Sequence, residues 1–453
     1  MNAPYDECMF TAGAAEVDIT PDRDLGKAGG FLRVKVAGSI DPLMGRALVL
    51  SDGASSVAFV TVDLIAARRE TITGPLLERL AGRLPLSEEQ VVVAASHTHS
   101  GPDITSPLLR RLRGDQPDEE QGAHDAAVRD YLARVSDALA QAVETAYRQQ
   151  EPVSLRLGVG METETPENSR YLLTDGTIAW QWSGYTRDEI VGPTGPVDTQ
   201  VGVLGVQRQS GSWLAVLYNF ALHALSRDEQ NRGPRYSADY PGYAARAIQD
   251  ELGAAPLFTA GACGNCHTTG RYSRQYIGAR LGREVLRVLS KVGPRADLAP
   301  IRCRRAVLAI PYREPSTAHL EEVHRINQRW GATAAQHERR FHLALQLLER
   351  LRAAGPAQVP VQVFTFGTEL AFIALPCELF VEYGLELKAK SPYRYTLVVT
   401  LANDHFGYVP TPNAFRWGSY QTWIGSNFLA PDAGARLVGE ALRLLDELWP
   451  GSS

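Results

Sequence analysis

The sequence predicts an α/β protein, one large layered domain over residues 1–453 with mixed sheets and reactive side chains on loops at strand ends. Three observations carry that expectation. Short apolar, β-branched runs recur along the chain, and most stop at a polar cluster. Stretches with apolar residues at helical spacing lie between them. A chain of 453 residues, 44% hydrophobic and 21% charged, has room for a sizeable core, and no repeat, low-complexity tract or clear linker divides it.

The elements follow in order. "SVAFVTVDL" reads as a buried strand that ends at Asp63, and "QVVVAASHTHSGPD" passes from a strand into a loop bearing His97 and His99. "HDAAVRDYLARVSDALAQAVETAYRQQ" has helical periodicity. "WLAVLYNFALHALS" places His223 near a strand end. "SADYPGYAARAIQDELG" should be a helix capped by Ser237 and stopped at Gly253. "APLFTAGACGN" is a further strand, leading into Cys263-Gly264-Asn265-Cys266-His267. Residues 316–355 read as a helical insertion or hairpin interrupted near Gly331. Their His324, His337 and His342 stand among many Arg and Glu, the pattern of a solvated helical pair, although a lid or dimer contact also fits. "ELAFIALPCELF" reaches Glu378, "YTLVVTLANDHFGYVPT" reaches Tyr408, and "DAGARLVGEALRLLDELW" closes the chain as a helix.

Charge and cysteines exclude several classes. A formal charge of −5 draws the protein neither to nucleic acid nor to anionic lipid. No apolar run approaches the ~18 residues of a membrane span. "MNAPYDECMF" has neither a basic start nor an apolar stretch, so no secretory signal is expected. Five cysteines (Cys8, Cys263, Cys266, Cys303 and Cys377) are too scattered for a disulfide framework and fit a reducing cytoplasm. The pattern C-x-x-C-H at 263–267 matches haem attachment, but covalent haem belongs to exported proteins, and a redox pair lacks its usual context.

Several side chains can carry chemistry. His97 and His99, two apart, put both rings on one side of an extended strand, and a following loop can present them to a cleft. A polar surface turn is the alternative. His223 alone in an apolar run is either a hydrogen-bonded core histidine or a ligand. Glu378 ends an apolar run, and burying it demands a cation, a donor or a metal. Tyr408 is a rim aromatic or, more unusually, a phenol ligand.

Taken together, "SHTHSGP", "FALH", "SADYPGYA", "GACGN", "LPCE" and "NDHFGYVPT" resemble the neutral (non-lysosomal) ceramidases, zinc-dependent amidases. The resemblance runs from "AGAAEVDITP" to the final helix. It implies a Zn2+ cofactor held by His97, His223, Glu378 and Tyr408, a ligand set suited to a catalytic zinc with room for water. It implies that His99 hydrogen-bonds the zinc water or the developing oxyanion, and that Tyr420 and Arg170 contact the substrate carbonyl. His99, or Glu378 in a dual role, would accept the proton. "GACGNCH" stands where the family has G-D-V-S-P. Gly264 keeps its place, Asn265 replaces the aspartate at the substrate cleft, and His267 replaces the serine as an added catalytic group. Trp417 and Trp423 flank Tyr420 and could line an aromatic wall for substrate, or simply pack in the core.

Departures from the family shape the functional expectation. The chain ends soon after the catalytic region, so the family's C-terminal immunoglobulin-like domain is not expected. Without an export signal or a cationic amphipathic stretch, the expected substrate is a small-molecule amide of N-acyl type, not necessarily ceramide. The protein is therefore expected to be a cytoplasmic zinc-dependent amidohydrolase, and a homo-oligomer is allowed. Two alternatives stand beside this reading. One is a metal-dependent acyltransferase or amide-forming cyclase on the same site. The other is a non-catalytic metal- or ligand-binding module.

Overall fold

The computed structural model describes residues 10–29, 34–104, 119–180, 185–226, 234–268, 270–316 and 334–451. Eight strands build the first sheet: β1 (Phe10–Asp18), β2 (Met44–Ser51), β3 (Ser56–Val62), β4 (Val91–Ala95), β5 (Glu151–Met161), β6 (Gln200–Arg208), β7 (Trp213–Phe220) and β8 (Ala255–Ala260). Their order is β8-β7-β6-β5-β1-β2-β3-β4, antiparallel in the middle and parallel in the edge pairs β3–β4 and β7–β8. A second sheet runs β9 (Ile301–Ile310), β10 (Ala357–Phe366), β11 (Leu370–Ala374) and β12 (Tyr395–Val399), with β11–β12 its parallel pair. The chain thus adopts the α/β class with mixed sheets.

The two sheets pack face to face, and alternation along each strand assigns its residues to one face or the other. On β2, Ala47 and Val49 face helices while Leu48 and Leu50 face the second sheet. On β11, Leu370, Phe372 and Ala374 face the first sheet while Ala371 and Ile373 turn outward. Both faces are buried, so these strands read as unbroken apolar runs rather than as alternating ones. Helices Glu119–Arg148, Asp239–Leu252 and Arg274–Leu289 cover the first sheet, and Ala433–Leu448 covers the second. The layers run helix, sheet, sheet, helix.

The first sheet curls, so that β8 approaches β2, β3 and β4 from the far edge. The segment leaving β12 is stitched between those edges. Thr400 N–H donates to Ala260 O at 2.9 Å and Asn403 N–H to Val93 O at 2.8 Å, while the Asn403 side chain accepts from Val93 N–H at 2.8 Å. The C-terminal ends of β4, β7, β8, β11 and β12 therefore open onto one place.

One local expectation changes. The helix expected from Ser237 begins at Asp239, because the buried Ser237 hydroxyl accepts from Asp239 N–H at 3.0 Å and donates to Asp41 at 2.6 Å. It ends as expected at Gly253, whose φ of 62° suits glycine. Within 316–355, Ala334–Ala353 is helical and His342 is exposed, while Gly331, His324 and the His337 side chain lie outside the described residues. No described helix is long and apolar enough to cross a membrane.

The inter-sheet seam centres on Phe59, whose ring lies 5.4, 6.5 and 4.9 Å from those of Phe364, Phe366 and Phe372. Phe59→Ala should cost about 3–5 kcal/mol in a denaturant titration, and a cost below about 1 kcal/mol would contradict a tightly packed seam.

Candidate functional site

The loop after β4 turns sharply at His97, whose φ of 61° lies in the left-handed region, a conformation that bulky residues hold only where surrounding bonds impose it. Those bonds are present. His97 N–H donates to Leu64 O at 3.0 Å, and its Nδ1 lies 2.7 Å from Ile65 O. The "SADYPGYA" segment backs the loop, since the Thr98 hydroxyl donates to Ser237 O at 2.7 Å and Ser237 N–H donates to Ser100 O at 2.9 Å. His99 N–H reaches Ala224 O at 3.0 Å and so ties this loop to the one carrying His223.

His223 explains the C-x-x-C-H stretch. Its N–H donates to Cys266 O at 3.0 Å, and its Nδ1 lies 2.6 Å from Cys263 O. The loop therefore acts through backbone carbonyls. Its thiols are fully buried, and burial pushes both well above the ordinary cysteine value, so they stay protonated. His267, at the end of the same loop, stacks on His223 with ring centres 4.1 Å apart.

Glu378 and Tyr408 come together by strand pairing, because the short parallel strands Glu378–Leu379 and Tyr408–Val409 put the two residues directly opposite each other. Glu378 Oε2 lies 3.1 Å from His223 Nε2 and 3.3 Å from His97 Nε2, and the Tyr408 hydroxyl lies 3.3 Å from His223 Nε2. His99 Nε2 is 3.3 Å from His97 Nε2. A carbonyl can only accept, so Nδ1 of His97 and of His223 must each carry the ring proton. When the rings are neutral, both Nε2 atoms turn lone pairs toward one carboxylate oxygen.

Three lone-pair donors this close repel unless a cation sits among them. Burial alone would push the Glu378 carboxyl up, but the neighbouring His97 and the hydrogen bond from His405 Nε2 pull it well below the usual carboxylate range. Burial holds His223 below the ordinary imidazole value, which keeps it neutral and ligand-competent. The spacings of 3.1–3.3 Å match the ~3.3 Å edges of a tetrahedron whose corners lie ~2.0–2.1 Å from its centre. His97, His99 and His223 bring their ring nitrogens within 4.8 Å of one another and form a group able to hold a metal ion.

No family model matches the chain. Over 255 residues it is 26% identical to the neutral ceramidase of Pseudomonas aeruginosa, a stretch that makes up 54% of this chain and only 34% of that protein's length. A crystal structure of neutral ceramidase from Pseudomonas aeruginosa superposes with a TM-score of 0.71 at 20% identity, covering 97% of this chain and 74% of that one. A ceramidase complexed with C2 aligns with the same TM-score at 19% identity, covering 97% and 75%. The fold is that of neutral ceramidase.

Within this ceramidase fold the remaining expected residues divide. The Tyr420 hydroxyl lies 3.4 Å from His267 Nε2, and its ring meets that of Tyr408 edge-on at 5.6 Å. Trp180 joins Tyr420 and Trp423 at 5.5 and 5.4 Å, making an aromatic face beside the histidines. Trp417, expected on that face, is 51% exposed and stands apart from it. Arg170, expected at the substrate, is 1% exposed. Its guanidinium donates to Gly418 O at 2.8 Å and Gln421 Oε1 at 3.1 Å, so it braces the loop that carries Tyr420. Asn265, also expected at the substrate, is buried. It accepts from Val381 N–H at 2.8 Å and donates to Glu382 at 2.9 Å, which secures the first turn of helix Val381–Lys390.

Sequence reasoning missed Trp180, Arg68 and His405. His405 Nε2 sits 3.0 Å from Glu378 Oε1, and Arg68 Nη2 sits 3.2 Å from His405 Nδ1. The available signal was a third histidine-bearing strand end, inside the quoted "NDHFGYVPT".

The polar support behind the His97 loop should titrate. Asp41 is 7% exposed, and burial pushes it up to about 6 from 3.8, against the opposing pull of the Ser237 hydroxyl and Ala238 N–H. With its folded value raised, Asp41 contributes stability that is present below about pH 3.8 and lost as pH rises through about 6. Asp41→Asn should therefore gain about 3 kcal/mol relative to the wild type between those pH limits, read from paired denaturation curves. A difference that stays flat with pH would show that burial does not raise the Asp41 carboxyl in this way.

Proposed function

We propose that the protein is a zinc-dependent amidohydrolase that cleaves the C–N bond of an N-acyl amide. The observation that supports it is the meeting of His97 Nε2, His223 Nε2 and Glu378 Oε2 within 3.1–3.3 Å steps, with both rings turned so that Nε2 is unprotonated. In this reading His97, His223, Glu378 and Tyr408 are the ligands. The donor set fits, since two neutral imidazoles and a carboxylate are the ligands of many catalytic zincs. Zinc bound there supplies Lewis acidity, which polarises an amide carbonyl and makes water nucleophilic near pH ~7.

The protein's own groups have distinct parts. His97 and His223 have Nδ1 fastened to a carbonyl, as befits ligands. His99 Nδ1 has no hydrogen-bond partner among the described residues, and a Cβ on Gly29 would stand only 2.1 Å from it. That ring is held by close packing rather than by a fixed tautomer. Burial and the neighbouring His97 and His223 hold it well below the ordinary imidazole value, so it stays neutral, takes a proton at Nε2 only transiently and returns it readily to the leaving amine. Burial pushes the Tyr420 phenol up, so it remains protonated and can donate to the oxyanion of the tetrahedral intermediate. His267 holds the Tyr420 hydroxyl, and Arg170 holds its loop. Trp180 and Trp423 offer the aromatic face to the acyl part of the substrate. A reducing, cytoplasmic setting belongs to the same proposal, since five scattered cysteines do not make a disulfide framework.

Purified protein should carry about one zinc per chain, and His97→Ala should lose both the metal and amide hydrolysis. Chelation should lower Tm, and zinc should restore it, because an ion bound only by the folded state stabilises that state. Tyr420→Phe should keep the metal and lose about 10²- to 10³-fold in kcat. Metal-free protein that hydrolyses amides at full rate would overturn the proposal.

A further inference from the structure

Glu378 has two oxygens, and the structure gives them different partners. Oε2 faces His223 Nε2 at 3.1 Å and His97 Nε2 at 3.3 Å, whereas Oε1 faces His405 Nε2 at 3.0 Å. Which way the His405 bond runs is settled one residue further out. Arg68 Nη2 lies 3.2 Å from His405 Nδ1, and a guanidinium has donors but no acceptor. His405 Nδ1 must therefore offer its lone pair, which puts the ring proton on Nε2, directed at Glu378 Oε1. A protonated Nε2 cannot serve as a metal ligand, so His405 lies outside the ligand set although its ring is 6.3 Å from that of His97.

Both residues are anchored. Arg68 Nη1 also donates to His405 O at 3.3 Å, and the Arg68 carbonyl accepts from the N–H groups of Thr71, Ile72 and Thr73 at 2.9–3.3 Å, which fixes its backbone at a helix start. Asp404 Oδ1 accepts from both Arg69 N–H at 3.1 Å and His405 N–H at 2.8 Å, joining the two segments.

We infer that Arg68 and His405 are positioning residues that make Glu378 a one-oxygen ligand: Arg68 sets the tautomer of His405, and His405 occupies Oε1 so that Oε2 alone faces His97 and His223. The inference rests on the metal-site reading proposed above. It assigns two residues a part in holding the ion without touching it, and it keeps a second carboxylate oxygen from filling the position that substrate needs.

The test compares full-length wild type with His405→Phe, His405→Gln and Arg68→Met, with far-UV circular dichroism and Tm as folding controls. Zinc affinity is read by competition with a chromophoric chelator, and coordination number from the visible spectrum of the cobalt-substituted protein. His405→Phe should weaken zinc about 10- to 100-fold and reduce the cobalt absorption as Oε1 enters the coordination sphere. His405→Gln keeps an N–H donor and should restore most of both, a rescue that a purely space-filling role would not produce. Arg68→Met should move both readings in the same direction by a smaller amount, and it carries the comparison if His405→Phe does not fold. Metal-loaded wild type and variants with equal zinc affinity and identical cobalt spectra would overturn the positioning role and leave the metal site standing. Wild-type protein that takes up neither zinc nor cobalt would overturn the metal site itself.

Discussion

Two imidazoles are pinned by backbone carbonyls on one side and left with bare lone pairs on the other, and an ionised carboxylate oxygen is held between them. Ile65 O fixes the outward Nδ1 of His97 and Cys263 O that of His223, so neither ring can relieve the crowding by exchanging its proton. Such an arrangement is costly in isolation, because buried acceptors at 3.1–3.3 Å repel one another and each has lost its water. It persists because the surrounding backbone over-determines it. Positive φ values at His97, Leu401 and Asn403 mark where the chain is bent to bring the groups together.

The sheets supply the rigidity. The first sheet curls until its edges β4 and β8 approach each other, and the segment after β12 is bonded to both. Asn403 does this with backbone and side chain together, and its amide also reaches Gln362 of the second sheet at 2.5 Å. A shift of one sheet against the other would move Glu378 and Tyr408 relative to His97 and His223. The Phe59 seam and the Asn403 bonds oppose that sliding, so core packing and site geometry are linked by the same few contacts.

Around this centre the polar groups form a graded support. Asn265 and Arg170 each satisfy backbone groups of a segment that carries a site residue. The sequence singles out both positions but not these bonds, because a buried polar side chain in a loop can serve the substrate or the backbone equally well. Which one it serves depends on which unsatisfied amides and carbonyls lie within reach, and that is set by the packing of distant segments.

The strand runs, the helices and the presence of histidines and a carboxylate at strand ends were legible in the sequence, since apolar periodicity and the cost of burying charge act locally. His97, His223, Glu378 and Tyr408 were singled out there. What local chemistry could not reach was anything that depends on two segments meeting; that the four residues form one set was implied only by the family resemblance. The start of the helix at Asp239 follows from Asp41 taking the Ser237 hydroxyl, the exposure of Trp417 from the turn that precedes Tyr420, and the place of His405 from an arginine 337 residues away in the chain. Local chemistry determined which side chains were worth burying; tertiary structure decided which lone pair, proton or carbonyl each would face, because hydrogen bonds are directional over ~3 Å and sequence distance does not measure space.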